Sequence, residues 1–263
     1  MRMLKYGCEG LVAVISGGTS GIGLATAAQL AEDGARVYIL GRNAARGEAA
    51  VRQLLANTGA EVKFVPCDVS SAASCREAVA QISTKEKSLL GKQDVNIDIL
   101  VNSAGVYAEQ RLENMTEADY AEIMDTNVKG TLLLTKACLP LMYGGGSIVN
   151  IASDAGISGN YGCPVYCASK GAVVALTRAL ALDLAPHIRV NCVCPADVDT
   201  PLLARQLVDA EGGYTLADME ASYPLGRIGR AEEIAHVICS VASPANSFMT
   251  GSVIPVDGGL TAG

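Results

Sequence analysis

Residues 11–41 read LVAVISGGTSGIGLATAAQLAEDGARVYILG. The strand-like runs 11–15 and 36–40 have continuous rather than alternating apolar residues, at 11–15 and 37–40, which is typical of strands buried on both faces of a sheet. Residues 22–33, between them, have the composition of a helix. A strand, a helix and a second strand in this order predict two parallel strands joined by a right-handed crossover.

The same alternation continues along the chain. Further strand-like runs lie at 62–65, 98–101, 147–151, 189–193 and 252–256, and further helical stretches at 44–57, 72–82, 117–139, 165–184 and 232–241. The pattern predicts an α/β fold: a doubly wound, Rossmann-type parallel sheet of about seven strands with helices on both faces. We expect residues 1–263 to form a single nucleotide-binding domain, and the polar segment 83–97 to be a solvated loop.

Residues 201–230 are the most irregular part of the sequence, with weak periodicity and two central glycines. They follow a strand end, where doubly wound sheets bind ligands. We interpret 201–225 as a substrate lid, and a plain surface excursion is the alternative.

Composition limits the classes of partner. The formal net charge is −7 at pH 7, the pI is near 4.9, and there is no Trp and little Phe. A nucleic-acid partner is therefore not expected, since it requires a basic surface or stacking aromatics. No apolar run approaches 18 residues, so no membrane contact is expected. Nine cysteines without an export signal favour reduced thiols and a cytoplasmic location.

A glycine-rich turn, SGGTSGIG at 16–23, separates the first strand from the first helix. Gly17, Gly21 and Gly23 form G-x3-G-x-G, which differs in spacing from the G-x-G-x-x-G dinucleotide fingerprint. Glycines here permit a tight turn and a close approach of backbone to a pyrophosphate. The helix N-terminus would offer free N–H groups to the phosphates. A generic turn between strand and helix is the alternative.

Tyr166 and Lys170 are four residues apart in a helical stretch, which places both side chains on one face. A neighbouring ammonium favours a phenolate and lowers its pKa from about 10. The pair is therefore a candidate proton-transfer site, and a surface tyrosine beside a surface lysine is the alternative. Tyr161 precedes the helix and is at most a wall of the pocket.

Several motifs occur in the order and spacing of one known family: SGGTSGIG, NSAG at 102–105, Ser153 and YCASK at 166–170. CDV at 67–69, NVKG at 127–130, RVNCVCPADVDT at 189–200 and TGSVIPVDGG at 250–259 extend the match. The sequence resembles the short-chain dehydrogenase/reductase family nearly end to end, in the branch of 3-oxoacyl-ACP reductases and secondary alcohol dehydrogenases. The resemblance implies an NAD(P)-dependent oxidoreductase and a homotetramer.

The resemblance also implies a catalytic tetrad of Asn127, Ser153, Tyr166 and Lys170. Tyr166 would exchange a proton with the substrate oxygen, and Ser153 would stabilise the charge on that oxygen. Lys170 would lower the pKa of Tyr166 and hold the nicotinamide ribose, and Asn127 would position a water of a proton relay. The implied cofactor contacts are these residues: Ser16, Gly17, Thr19, Ser20, Gly21, Ile22, Gly23, Arg42, Asp68, Val69, Asn102, Ala104, Gly105, Tyr166, Lys170, Pro195, Val198 and Thr200.

The sequence departs from the family pattern at a few positions. Ser16 replaces the usual Thr, and Ser103 replaces a common Asn. Ala196 replaces the usual Gly, and an alanine would be strained there if the backbone needs a positive φ. Gly41 stands where NAD-preferring relatives carry an acid, and Arg42 follows it. The missing acid and the guanidinium favour NADP(H), with NAD(H) possible and an exposed, unused Arg42 as the alternative.

No metal site is expected from the cysteine pairs. Cys163 and Cys167 form C-x3-C, and Cys192 and Cys194 lie on one face of a strand. We interpret these thiols as small buried apolar residues, with redox modulation of Cys163 or Cys167 left open.

Two functions remain open at this point: a carbonyl reductase or alcohol dehydrogenase, and a non-catalytic dinucleotide-binding sensor or scaffold. The complete tetrad favours the enzyme. Substrate candidates are a 3-oxoacyl thioester, a steroid, a sugar or a cyclic alcohol. The expected pocket residues are Asp154, Ala155, Gly156, Tyr161 and the segment 201–225, a mix that suits a hydrophobic alcohol or ketone.

Overall fold

The computed structural model describes residues 5–91, 94–142, 144–209 and 213–262. In this part of the chain, seven parallel strands form the central sheet, in the order β3-β2-β1-β4-β5-β6-β9. They are β1 (Val12–Ser16), β2 (Arg36–Gly41), β3 (Val62–Pro66), β4 (Ile99–Asn102), β5 (Gly146–Ile151), β6 (Ile188–Pro195) and β9 (Val253–Val256). Two short strands, β7 (Val198–Asp199) and β8 (Gly229–Arg230), pair beside it. The predicted doubly wound sheet is confirmed.

Helices cover both faces of the sheet. They are α1 (Gly21–Glu32), α2 (Ala44–Thr58), α3 (Ala72–Leu90), α4 (Glu117–Met124), α5 (Gly130–Cys138), α6 (Pro164–Asp183), α7 (Pro201–Asp209), α8 (Leu216–Ala221) and α9 (Ala231–Ala242). One apolar core lies under α1, α2 and α9, and a second under α3 and α5. Every residue of β1 and β4 is buried, which explains why these strands have continuous apolar sequences.

A π-turn at Asp125–Lys129 joins α4 to α5. The helix predicted over 117–139 is therefore continuous, but its hydrogen bonds change from i→i+4 to i→i+5 within this turn. A turn of i→i+5 type adds one residue to the helical repeat and is frequent at functional sites. The Thr131 hydroxyl donates to the Asn127 carbonyl (2.8 Å) within this turn.

The order of the strands reverses between β1 and β4, whose ends Ser16 and Asn102 are paired in register. At such a switch point the loops that leave the two strands diverge to opposite faces and open a crevice. The fold therefore predicts that ligands bind beyond the carboxyl ends of β1, β4, β5 and β6.

The prediction of a solvated loop over 83–97 is wrong for its first half, because α3 continues to Leu90. This part of α3 holds a partly buried ion pair that a polar composition does not reveal. Glu86 is fully buried, and its carboxylate accepts from Arg36 Nε (2.8 Å) and from the Tyr38 hydroxyl (2.7 Å). Residues 92 and 93 lie outside the described part.

The segment 201–225 is more regular than its sequence suggests, since α7 and α8 occupy most of it; residues 210–212 lie outside the described part. Tyr214 connects this segment to the chain after β4: its hydroxyl donates to Glu109 Oε2 (2.7 Å) and accepts from Gln206 Nε2 (3.1 Å). The segment thus reaches across the crevice.

Among the described helices, α6 has the length and hydropathy that would also allow a membrane crossing. In this fold, however, α6 packs against β6 and α4, and it buries the charged residue Lys170. Buried core helices commonly have this composition, so α6 is weak evidence for a membrane span.

Candidate active site

A cavity of about 220 Å³ opens beyond the carboxyl ends of the central strands. Four stretches of chain meet there: the glycine-rich turn after β1, residues 103–107 after β4, residues 151–154 after β5 and residues 195–206 after β6. Tyr166 and Lys170 of α6 complete the wall. The predicted cofactor residues that line it are Gly17, Ser20, Gly21, Ile22, Gly23, Ala104, Gly105, Tyr166, Lys170, Pro195, Val198 and Thr200.

The glycine-rich turn is too close to its neighbours for side chains at its key positions. A Cβ on Gly17, which has φ +66°, would lie 2.9 Å from the Ala104 backbone. A Cβ on Gly23 would lie 2.5 Å from the Gly17 carbonyl oxygen, so the turn folds tightly onto the first turn of α1. Among the described residues, Ser20 makes no side-chain hydrogen bond to the first turn of α1, and Gly21, Ile22 and Gly23 of that turn line the cavity. This cradle fits a dinucleotide diphosphate.

Other predicted cofactor residues support the cavity rather than line it. The Ser16 hydroxyl accepts from the backbone N–H groups of Ser103 (3.1 Å) and Ala104 (3.2 Å), which joins the ends of β1 and β4. Asn102 is buried, and its Nδ2 donates to Thr135 Oγ1 and Asn150 Oδ1. The structure therefore does not bring the Asn102 side chain into the cavity.

Four further predicted cofactor residues lie at the ends of β1, β2 and β3. Thr19 sits against Gly41, where a Cβ would be 2.9 Å from Thr19 Cγ2. Arg42 is exposed beside them. Asp68 Oδ1 accepts from the N–H and the hydroxyl of Ser70 (3.0 and 2.7 Å), and Val69 is buried.

Tyr166 and Lys170 lie one turn apart on α6, with Lys170 Nζ 5.7 Å from the centroid of the Tyr166 ring. The Lys170 ammonium is buried and donates to the Ile151 carbonyl (3.0 Å) at the end of β5. The Tyr107 ring packs edge-on against Tyr166 with a centroid distance of 4.8 Å. The phenol is thus fixed between α6 and the chain after β4.

Asn127 is held rigidly in the π-turn. Its Oδ1 accepts from Val106 N (2.9 Å), and its Nδ2 donates to Val106 O (3.0 Å) and Ser169 Oγ (3.0 Å). A Cβ added to Gly105 would lie 3.3 Å from Asn127 Oδ1 and 3.4 Å from Lys170 Nζ. Both side chains therefore flank the same glycine, and the tetrad members Asn127 and Lys170 are neighbours.

Ser153 lies between β5 and a short turn, and it lines the cavity beside Tyr166. Its hydroxyl donates to Asp154 Oδ1 (2.6 Å) and accepts from Ala155 N (3.2 Å). The Ser153 proton is therefore directed to a carboxylate, and a lone pair of the hydroxyl oxygen remains for another group.

Burial determines the proton affinities of the pair. Burial raises the pKa of the Tyr166 phenol, a hydrogen bond with Ser153 lowers it, and the charges of Asp154 and Asp197 raise it again. Burial lowers the pKa of the Lys170 ammonium to about 8. In the protein alone Tyr166 is therefore protonated at neutral pH, because Lys170 does not outweigh the loss of water around the phenol.

The pocket residues differ in part from the sequence-based expectation. Asp154 lines the cavity, as do Leu202 and Leu203 of α7, whereas Ala155 and Gly156 do not. Tyr161 is fully exposed, away from the cavity. Arg205 and Gln206, in the predicted segment 201–225, also line the cavity. The lining residues that sequence reasoning missed are Ser103, Val106, Tyr107, Ile151, Ala152, Asn160 and Asp197. Ala196 is unstrained, because no described residue other than glycine has a positive φ.

The two cysteine pairs have close sulfur contacts. The Sγ atoms of Cys163 and Cys167 are 3.8 Å apart, and so are those of Cys192 and Cys194. Burial raises the pKa of the Cys163 thiol to about 12, followed by the effect of Cys167. Within the described ranges, no group of three or more His, Cys, Asp or Glu side chains is arranged to hold a metal ion.

A glycine-rich cradle at the switch point, with a half-buried tyrosine and a buried lysine beside it, is the arrangement expected of an NAD(P)-dependent oxidoreductase. A family model described as enoyl-(acyl carrier protein) reductase matches residues 17–261. The chain belongs to the short-chain dehydrogenase/reductase family, as this match and its relatives show.

Three relatives illustrate the similarity. An uncharacterized oxidoreductase of Thermotoga maritima is 39% identical over 258 residues, which are 97% of this chain and 98% of that protein. A 3-oxoacyl-[acyl-carrier-protein] reductase of Chlamydia trachomatis serovar D is 34% identical over 251 residues, covering 94% and 96% of the two chains. The crystal structure of a short-chain glucose/ribitol dehydrogenase from Brucella melitensis has a TM-score of 0.87 at 33% identity, with 98% and 99% coverage.

Proposed function

We propose that this enzyme transfers a hydride between NADP(H) and a carbonyl or secondary-alcohol substrate, with Tyr166 as general acid and base. The observation that carries the proposal is a single cavity that joins the glycine-rich turn to Tyr166 and Ser153. A phosphate group on the turn and a reacting carbon beside the phenol would thus belong to one bound complex. The nicotinamide supplies the hydride when it is bound.

The tetrad has the following roles. Tyr166 Oη passes its proton to the carbonyl oxygen in reduction and removes it from the alcohol in oxidation. The Ser153 hydroxyl holds the same oxygen. Lys170 is fixed by the Ile151 carbonyl and donates its other protons toward the ribose and the phenol. Asn127, next to Lys170, orients a water that carries the proton toward solvent.

The glycine-rich turn, Ala104, Gly105, Pro195, Val198 and Thr200 would hold the cofactor, and Asp68 with Val69 would hold its adenine. Gly41 supports the preference for NADP(H), because an acidic side chain there would collide with Thr19. Arg42 is exposed and available for a 2′-phosphate.

Arg42→Ala should lower kcat/KM for NADPH at least tenfold and leave that for NADH nearly unchanged. The exposed Arg52 of α2 provides the control, Arg52→Ala. A higher kcat/KM with NADH than with NADPH in the wild type would contradict the preference.

The decisive experiment measures absorbance at 340 nm with a panel of ketones and secondary alcohols and both cofactors. Tyr166→Phe removes only the phenolic oxygen and should reduce kcat at least 10³-fold, since a positioned acid–base group contributes about 10²–10⁴. Tyr161→Phe is the matched control, because Tyr161 lies five residues away and is fully exposed. Turnover that survives Tyr166→Phe would refute the assigned role. Cofactor binding without any turnover would instead favour a dinucleotide-binding sensor or scaffold.

The remaining features of the proposal concern the whole protein. The chain acts as a single catalytic domain on a small molecule, in the cytoplasm, and forms a homotetramer. Residues 201–225 act as a lid, which the Tyr214–Glu109 hydrogen bond would hold over the cavity. Size-exclusion chromatography with light scattering tests the tetramer.

A further inference from the structure

Two carboxylates line the same cavity as Tyr166. Asp154 is buried at the end of β5, and Asp197 follows the end of β6. Both line the cavity. The charges of both raise the pKa of the Tyr166 phenol. A catalytic phenol needs neither of them for its own chemistry, so their presence requires another explanation.

Each carboxylate is fixed by neighbours that leave part of it free. Asp154 Oδ1 accepts from Ser153 Oγ (2.6 Å), and Asp154 Oδ2 accepts from Asn160 Nδ2 at a long 3.4 Å. Asp197 Oδ2 accepts from the Tyr223 hydroxyl (2.7 Å), which itself accepts from Asp197 N (3.0 Å). A carboxylate has about four lone-pair sites. Both groups therefore retain capacity to accept hydrogen bonds from a molecule in the cavity.

Further polar groups line the cavity, alongside the apolar residues Val106, Leu202 and Leu203. Asn160, Gln206 and Arg205 line the cavity, together with the hydroxyl-bearing ring of Tyr107. An apolar substrate would remove water from the two carboxylates without replacing its hydrogen bonds, which is costly. An anionic group would be repelled by them. Hydroxyl groups satisfy such acceptors and can also accept from Asn160 and Gln206.

We propose that Asp154 and Asp197 select a neutral polyhydroxylated substrate, a polyol or the corresponding sugar, by accepting hydrogen bonds from hydroxyl groups next to the reacting carbon. This inference rests on the proposed function and replaces the hydrophobic alcohol or ketone expected from sequence. Asp197 is the specificity-determining residue. Asp154 also has a positioning role, because it accepts a hydrogen bond from Ser153 Oγ (2.6 Å) and so fixes the position of that hydroxyl in the cavity.

The first test uses the wild-type enzyme and five-carbon alcohols that differ in hydroxyl content: 2-pentanol, 2,3-pentanediol and ribitol. Oxidation is followed at 340 nm with NADP⁺ and NAD⁺. We expect kcat/KM to rise at least tenfold from 2-pentanol to the better of the two polyhydroxylated compounds, since a site that hydrogen-bonds a hydroxyl rejects the analogue that lacks it. 1-Amino-2-pentanol and 2-hydroxypentanoate serve as cationic and anionic comparisons.

The second test changes Asp197. Asp197→Asn keeps an acceptor for Tyr223 but removes the charge, and Asp197→Leu removes the acceptor entirely. The ratio of kcat/KM for polyol over 2-pentanol should fall at least tenfold in Asp197→Leu and less in Asp197→Asn, mainly through KM. Asp199→Asn is the matched control, because Asp199 is exposed and does not line the cavity. Thermal unfolding identifies a variant that has not folded, and the wild-type series decides the question in that case.

The outcomes separate this inference from the proposed function. Equal or better turnover of 2-pentanol, the amine or the hydroxy acid overturns the selection by Asp154 and Asp197 and leaves the proposed oxidoreductase chemistry standing. An unchanged ratio in folded Asp197→Leu overturns the role of Asp197. No turnover of any alcohol or ketone with either cofactor overturns both.

Discussion

Arg189 offers a sharp test of how the last strand is held in place. Its guanidinium caps the C-terminus of α9: Nη1 donates to the Val241 carbonyl (3.1 Å), and Nη2 donates to the carbonyls of Ala242 (3.1 Å) and Ser243 (3.1 Å). A fourth bond runs from Nη1 to the Met249 carbonyl (3.2 Å), on the approach to β9. One side chain thus joins β6, the end of α9 and the chain entering β9.

The magnitude follows from these four bonds. Hydrogen bonds to a charged group contribute about 1.5–3 kcal/mol each, and bonds that share one donor group do not add fully. Val241, Ala242 and Ser243 are buried, so water replaces the lost donors poorly. We expect Arg189→Met to lower the free energy of unfolding by about 3–5 kcal/mol. At about 2–4 °C per kcal/mol, Tm should fall by roughly 6–20 °C.

The assay is urea unfolding followed by circular dichroism, with thermal unfolding as a second measurement. Arg189→Lys keeps the charge but presents three donors from one nitrogen, so it should recover part of the loss. Arg178→Met removes an exposed arginine of α6 and serves as the control. A single hydrogen bond to a charged group contributes about 1.5–3 kcal/mol. If the free energies of unfolding of Arg189→Met and the control differ by less than about 1 kcal/mol, the guanidinium does not hold these elements together.

Three further perturbations have defined outcomes. Gly23→Ala would place its Cβ 2.5 Å from the Gly17 carbonyl oxygen in the glycine-rich turn. The Kd for NADPH, measured by fluorescence titration, should therefore rise at least tenfold. Gly159→Ala is the control and should leave this Kd unchanged, because the space around Gly159 is open. Glu86→Leu leaves the buried Tyr38 hydroxyl without its acceptor and should lower the free energy of unfolding by about 3 kcal/mol, with partial recovery in the double variant with Tyr38→Phe. Burial lowers the pKa of Lys170 to about 8, whereas a lysine in the unfolded chain has a pKa of about 10.4. Between these two pH values the unfolded state binds more protons than the folded state, so stability increases with pH. The free energy of unfolding of the wild type, relative to that of Lys170→Met, should therefore rise from about pH 8 to about pH 10 when it is measured by urea unfolding.

Each of these outcomes can fail in a specific way. Unchanged NADPH affinity in Gly23→Ala would mean that the turn is not the phosphate site. Additive losses in the double variant of Glu86 and Tyr38 would mean that the two side chains are not coupled. A stability difference that stays flat with pH would show that Lys170 is not buried in the folded protein.

The sheet could be predicted from sequence because its strands are buried on both faces, and such strands have continuous apolar sequences. The end of α3 could not, because Glu86 looks like a surface residue until Arg36 and Tyr38 of another strand are placed beside it. The π-turn was likewise invisible, since its residues have ordinary helical composition. What sequence patterns reveal is local periodicity, and these features depend on contacts between distant segments.

The candidate site shows the same division. Tyr166 and Lys170 were identified together because an i, i+4 spacing is a local geometric fact. The resemblance to a family supplied Asn127 and Ser153, and the structure places them beside the same cavity or its wall. Asp197 was missed, because it is one acid among many in the sequence and acquires meaning only when the chain after β6 lines the same cavity as Tyr166.

The π-turn that carries Asn127 has a consequence for how this site tolerates change. The extra residue sets α4 and α5 out of phase by about 100°, the angle of one residue in an α-helix. Deleting one residue there would restore a regular helix and rotate one of its two halves against the other. Asn127 would then leave Val106 and Lys170 while every side chain kept its chemistry. The placement of Asn127 beside Val106 and Lys170 thus depends on the helical phase as much as on the identity of the residues, so length changes in 125–129 should be far more damaging than substitutions on its exposed side.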